Sequence, residues 1–267
     1  MIKLGVTYSP TLLSALSSGS LDIDYIKVDA DLGMEPLQKA LKYKAVMLHD
    51  VPDPFWLNYE NPFRDDLMAQ ARALLDTAKS PWLSTGIGAS AEPQAHRGGP
   101  YREGDDDKLQ SRERVISNII RHGTRLRDWA GVPLLLENYN YHPTNAYEYV
   151  CEPEVVHQIL DAIGCGMLLD MAHAQISAHN MGWQDTKEYF KALPLEKVRE
   201  IHLNHPVDRG DQMVDMHQPA QAEDFEWLAW ALDHTPATEA VTLEVEELDE
   251  PILQTQIELL RQVLAGR

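Results

Sequence analysis

The chain is poor in the features that usually fix a protein's class at once. It has two cysteines in 267 residues, Cys151 and Cys165, and neither sits in a Cys-x-x-Cys or Cys/His spacing. That excludes a disulfide framework and points away from an iron–sulfur cluster; ordinary packing in a reduced, cytoplasmic setting is the expectation. Basic residues are scarce too, with 23 Lys+Arg against 42 Asp+Glu and a formal net charge of −19. A nucleic-acid partner is not expected, because phosphate would be repelled everywhere outside a local site. No apolar run approaches the ~20 residues of a membrane span, so no membrane partner is expected. The opening Met1–Ser9 stretch lacks the apolar core and cleavage site of a signal peptide and reads as a strand. Low-complexity tracts and Ser/Gly linkers are missing as well. What remains is a globular balance, 44% hydrophobic and 24% charged.

Short β-branched and apolar runs recur along the whole length: Ile2–Ser9, Asp24–Ala30, Ala45–Val51, Trp82–Ala89, Pro133–Tyr139, Gly166–Ala172, Arg199–His205 and Ala240–Glu246. Between most of them lie segments with helical apolar spacing, such as Leu67/Ala71/Leu74/Leu75/Ala78, Val155/Val156/Ile159/Leu160/Ile163 and Ile252/Leu253/Ile257/Leu260/Leu264. Pro36, Pro153 and Pro251 each stand where a first helical turn would begin, where a missing N–H costs nothing. Strand–helix alternation predicts a parallel sheet. Eight such units without a linker predict a single α/β domain over residues 1–267, a closed (β/α)8 TIM barrel, with an open doubly wound sheet as the alternative. The widest gap, about Ser90 to Lys108, contains His96, Arg97, Arg102 and Asp105–Asp107. It follows the fourth strand and reads as a lid or docking loop over the C-terminal mouth, or as a plain solvated loop.

In a parallel barrel alternate residues point inward, so a period of two sorts them. Glu137 shares its face with Leu135, and Asp170 shares its face with Leu168. His49, His202 and Glu244 each point opposite to apolar neighbours. Five strands therefore bring an ionisable group to the inward face near the C-terminal end, and burying several carboxylates together is prohibitive unless cations compensate them. Asp170-Met171-Ala172-His173 adds His173, and Asp215-Met216-His217 after the seventh strand adds an Asp-x-His pair. Each member has a plain explanation alone: a salt bridge for Glu137, a core hydrogen bond for His49, helix capping for His173. The set of His49, Glu137, Asp170, His173, His202, Asp215, His217 and Glu244 is more than one ion needs and predicts a multinuclear centre. Its oxygen/nitrogen character suits iron, manganese, zinc or cobalt. His122, His157 and His234 fall in helical stretches and read as surface residues; Tyr139, Tyr141, Tyr147 and Tyr149 would line a peptide groove or cover the mouth.

From about Leu134 to Glu246 the sequence resembles the multinuclear non-heme iron-dependent oxidases, TIM-barrel proteins of the xylose-isomerase-like superfamily. The resemblance rests on Glu137-Asn138, Cys151-Glu152-Pro153-Glu154, Gly166-Met167-Leu168-Leu169-Asp170, Ser177-Ala178-His179-Asn180-Met181-Gly182, Leu193-Pro194, Glu200-Ile201-His202-Leu203, Val214-Asp215-Met216-His217 and Leu243-Glu244. It implies two or three irons per chain, O2 as co-substrate, and modification of a residue, commonly cysteine, in a ribosomally made precursor peptide. A separate peptide-presenting partner protein is implied as well. Carried over by position, His49, Glu137, Asp170, His202, Asp215, His217 and Glu244 would be metal ligands; Asn138 and His205 would contact substrate. Two departures stand out. Leu83-Ser84-Thr85-Gly86-Ile87-Gly88 has no histidine where most members carry one on strand four, with His96 as a conceivable substitute. Asp170-x-x-His173 looks more like the sugar isomerases and abasic-site endonucleases of the same superfamily.

Two other enzyme classes fit part of the set. A Mn- or Mg-dependent sugar isomerase or epimerase needs one ion held by Glu137, Asp170, His202 and Glu244, and leaves Asp215 and His217 without a purpose. A trinuclear-zinc phosphodiesterase would use the same ligands, but calls for Lys/Arg around the mouth where Asp105-Asp106-Asp107 stands. A non-catalytic metal store or scaffold is the remaining class, with Phe225, Trp227 and Trp230 as an aromatic helix face for a partner or for packing on the barrel.

Overall fold

The computed structural model of the protein describes residues 1–50, 56–58, 61–91 and 109–267. The elements are β1 (Lys3–Thr7), α1 (Pro10–Ser18), β2 (Tyr25–Asp29), α2 (Met34–Ala40), β3 (Ala45–His49), α3 (Asp65–Ala78), β4 (Leu83–Gly86) and α4 (Arg112–Ala130). They continue with β5 (Leu134–Glu137), α5 (Pro153–Ile163), β6 (Gly166–Asp170), α6 (Met171–Asn180), α7 (Thr186–Ala192) and β7 (Val198–Leu203). The last are β8 (His205–Asp208), β9 (Met213–Gln218), α8 (Ala222–His234), β10 (Ala240–Leu243) and α9 (Glu250–Leu264). β1 to β7 and β10 pair in parallel and close through β1 against β10, giving a (β/α)8 barrel.

Local sequence explains the strand entries. Gly131 and Gly164 cap α4 and α5 in the left-handed region, at φ 74° and 70°, and turn the chain into β5 and β6. Pro153 and Pro251 lie in the first turns of α5 and α9. The outward faces of the strands and the inward faces of the helices form one large apolar core. A second, separate cluster of Tyr25, Met47, Trp82, Leu135, Leu168 and Ala240 fills the barrel interior as its floor. Leu135 and Leu168 in that floor confirm the alternation that sends Glu137 and Asp170 inward one step nearer the mouth.

One feature, the burial of His122, differs from the sequence reading, and two others are placed more finely. Asp215 and His217 follow the seventh barrel strand and sit on β9, which pairs antiparallel with β8 as a hairpin outside the barrel sheet. His122 is buried on α4, 6% exposed, with its Nδ1 2.9 Å from the Leu57 carbonyl oxygen, because residues 56–58 pack over α4. Trp227 and Trp230 of α8 are half-buried against Phe190 of α7, with ring centroids 5.2 and 6.0 Å away, so this face packs on the protein's own helix. The stretch 92–108, including His96 and the expected lid, lies outside the described residues.

Candidate metal centre at the barrel mouth

β5 and β6 carry the heart of the site. Glu137 ends β5 and is 5% exposed; Asp170 ends β6 and is fully buried. β6 runs into α6 without a loop, and Asp170 is the helix N-cap, its Oδ1 accepting from the His173 N–H at 2.7 Å. Its other oxygen accepts from Asn204 Nδ2 at 3.2 Å. Asn138 grips the Asp170 backbone from both sides: its Nδ2 donates to the Asp170 carbonyl and its Oδ1 accepts from the Asp170 N–H, each at 3.0 Å. The expected substrate contact Asn138 is thus a buried clamp on Asp170, and its own carbonyl oxygen lies 2.9 Å from His173 Nδ1.

Glu137 faces two ways. Its Oε2 lies 3.3 Å from His49 Nε2, while its Oε1 lies 3.5 Å from His202 Nδ1 and 3.7 Å from His173 Nδ1. His202, fully buried, also brings Nδ1 within 2.8 Å of Glu244 Oε2. These His202 contacts lie outside hydrogen-bond geometry: both ring nitrogens, and Glu244 Oε2, are buried without a hydrogen-bond partner among the described residues. Two overlapping groups have ligand atoms all within 4.8 Å of one another, His49/Glu137/His202 and Glu137/Asp170/His202/Glu244. Above them, His173 Nε2 and His217 Nε2 converge on Asp215 Oδ2 at 3.3 and 2.9 Å. β9 therefore lays the Asp-x-His pair over the mouth. Seven of the eight expected ligands approach one another within a single chain of contacts through Glu137, His173 and Asp215, and Glu244 joins through His202.

Burial and charge pull on these groups in opposite directions. Burial pushes the Asp170 carboxyl up to about 7, against the pull of His173 and with the push of Glu244 and Glu137. For Glu137 and Glu244 the neighbouring cations overcome burial and hold both carboxyls well below the usual range. His202 and His173 are raised well above an ordinary imidazole and His217 to about 9: burial opposes this, and the surrounding carboxylates outweigh it. The carboxylates of the mouth thus draw protons onto their imidazole neighbours, a demand that a divalent ion would also meet.

Four charged groups belong to the site although the sequence reading did not include them. Lys27, on the inward face of β2 with Tyr25, is 3% exposed and pairs with Glu244 Oε1 and, at 3.0 Å, with Asp29. Asp50, just past β3, comes within 3.4 Å of His49 Nε2 from a left-handed backbone at φ 51°. Glu200 lies beneath His202, its Oε1 3.4 Å from Nε2, and accepts from Trp82 Nε1 and Thr242 Oγ1 at 2.7 Å each. The signal for Lys27, Asp29 and Glu200 was the same period of two. On β4 the inward residues are Ser84, 2.8 Å from His49 Nδ1, and Gly86. A Cβ on Gly86 would lie within 2.6 Å of Tyr139 Cζ, so the Tyr139 ring takes the space a fourth-strand side chain would need.

His205 points away from this cluster, its Nδ1 2.8 Å from the buried Asp224 Oδ2 of α8, at the edge of a cavity of about 490 Å³ lined also by Pro206, Gln218 and Gln221. Tyr141, Tyr147 and Tyr149 line a second cavity of about 320 Å³ with Glu148 and Glu152. Cys151 and Cys165 are both free and buried.

Solved structures share the fold at low identity. D-psicose 3-epimerase, crystallised with D-fructose, superposes with a TM-score of 0.65 at 14% identity, covering 99% of this chain and 100% of that one. Endonuclease IV from Thermus thermophilus gives 0.62 at 14% identity, covering 99% and 100%. Both are xylose-isomerase-like TIM barrels, and that fold is the one seen here. In sequence, a UPF0276 protein of Paraburkholderia phytofirmans is 34% identical over 111 residues, 40% of this chain and 36% of that protein. One from Anaeromyxobacter sp. (strain Fw109-5) is 25% identical over 202 residues, 73% and 68% of the two chains. The match to the first thus spans about a third of its length. The family model of the RiPP precursor modification enzymes MbnB/TglH/ChrH matches residues 3–263, nearly the whole chain, and the chain belongs to that family.

Proposed function

We propose that the protein is a multinuclear iron enzyme that uses O2 to oxidise a residue, most simply a cysteine, of a ribosomally made precursor peptide. One observation carries the reading: buried carboxylate and imidazole lone pairs converge on shared space at the mouth, and those of His202 and Glu244 have no hydrogen-bond partner among the described residues. Family membership supports the peptide substrate. The donor set is all oxygen and nitrogen and suits two or three first-row ions. In this reading His49, Glu137, Asp170, His173, His202, Asp215, His217 and Glu244 hold them. Iron bound there supplies open coordination positions and a change of oxidation state to a peptide thiolate and O2.

The chain's own residues do the positioning. Glu137 presents one oxygen to the His49 side and the other to the His202 and His173 side. Glu200 sits against His202 Nε2, which leaves Nδ1 to face the centre. Asn138 and Asn204 lock Asp170. His217, 40% exposed and at φ 42°, is the candidate ligand nearest solvent, where a peptide enters. His205, at the cavity beside Pro206, Gln218 and Gln221, and Asn138, through its hold on Asp170, are the substrate-side residues. A separate protein presents the precursor.

The test is anaerobic purification with metal analysis, then Fe(II), O2 and the precursor peptide with mass spectrometry. Two or more irons per chain and an oxidative mass change on the peptide are expected. A single Mn or Mg, with sugar turnover, contradicts the proposal. That outcome favours an isomerase built on Glu137, Asp170, His202 and Glu244, a quartet that does form one compact ligand group.

A further inference from the structure

The acidic mouth contains a cation of its own. Lys27 is the one lysine buried among the described residues. Its Nζ pairs with Glu244 Oε1 and with Asp29 Oδ1, and its charge is felt by Asp50 across the same corner. Asp50 Oδ1 is itself buried without a hydrogen-bond partner, with His49 Nε2 3.4 Å away. Two carboxylates, Asp29 at the end of β2 and Glu244 just past β10, thus hold one ammonium, and Asp50, just past β3, stands beside them against His49. The corner adjoins the two compact ligand groups: Glu244 belongs to the one with Glu137, Asp170 and His202, and His49, beside Asp50, belongs to the other.

We propose that Lys27 stands in for a metal ion at this corner: its ammonium occupies the space between Asp29 and Glu244, keeps a divalent ion out, and turns Glu244 so that only Oε2 faces the centre. The inference rests on the metal-centre reading above and adds where that centre stops. An ammonium and a divalent ion compete for the same oxygens, since each needs carboxylate charge within about 3 Å. The ammonium is covalently tethered and never dissociates, so the corner stays closed at any metal concentration. Removing the amine leaves Asp29 and Glu244 without their cation, with Asp50 close by, and a divalent ion then compensates them.

The experiment is Mn2+ equilibrium dialysis of the full chain with metal analysis, on wild type and on Lys27→Met, with circular dichroism confirming the fold. One additional Mn2+ per chain in Lys27→Met is expected. A folded Lys27→Met chain with the wild-type number overturns the proposal. Should Lys27→Met fail to fold, Lys27→Gln is melted with and without Mn2+. A larger Mn2+-dependent rise in Tm than in wild type supports the proposal, and an equal or smaller rise overturns it. Wild type that binds no divalent ion at all overturns the metal-centre reading itself, whereas equal binding by wild type and variant overturns only the role of Lys27.

Discussion

His202 Nδ1 lies 2.8 Å from Glu244 Oε2, and neither atom makes a hydrogen bond among the described residues. Two buried lone-pair bearers this close repel unless a positive charge lies with them. The carboxylates of Glu244, Glu137 and Glu200 raise His202 far above an ordinary imidazole against the opposing effect of burial, drawing a proton to this position. A divalent ion supplies the same charge while accepting both lone pairs.

Metal binding therefore competes with protons. Asp170 has its carboxyl pushed up to about 7, and His202 and His173 are raised further. All three must be deprotonated to ligate, so Mn2+ affinity should strengthen as pH rises from 6 to 8, with protons released on binding. Calorimetry in buffers of different ionisation enthalpy checks this; an affinity that is flat or falls with pH contradicts it.

Asp170 is both N-cap and candidate ligand, and two substitutions separate the roles. Asp170→Asn keeps a cap for the His173 N–H and should abolish metal retention with little loss of fold stability. Asp170→Ala should lose about 1 kcal/mol more than Asp170→Asn in chemical denaturation of the metal-free chain. Equal stability of the two variants would show that the cap contributes nothing.

Glu200 never reaches the mouth, yet it holds His202 from below. Glu200→Gln should weaken metal binding by roughly 10–100-fold while the barrel stays folded. Unchanged affinity in a folded variant would reduce Glu200 to a partner of Trp82 and Thr242.

Both thiols are sealed in. Burial pushes Cys165 up to about 12 and Cys151 higher still. At pH 8 both stay protonated, so iodoacetamide should label neither in the native chain and both after denaturation, as read by mass spectrometry. Rapid native labelling would contradict the packing.

Much of the site was legible because barrel strands obey a strict alternation. Leu135/Glu137 and Leu168/Asp170 sort the same way in sequence and in space. The same rule points Lys27 and Glu200 inward, but a lysine in Tyr25-Ile26-Lys27-Val28-Asp29 looks like a strand's solvent face until Glu244, 217 residues away, is placed beside it. The β8–β9 hairpin was not legible. Val214-Asp215-Met216-His217 alternates, but both its faces are partly exposed, so no apolar side announces a strand. His122 was hidden for a related reason: a short segment around Leu57 covers it, and nothing in the α4 pattern signals that cover.

The most direct test of the account is the metal content of wild-type chain purified without oxygen, read together with its Mössbauer spectrum. Two or more irons per chain, magnetically coupled, are expected from a mouth in which Glu137 faces His49 with one oxygen and His202 with the other. No stoichiometric metal would contradict the central claim that these buried carboxylates and imidazoles are gathered to hold ions.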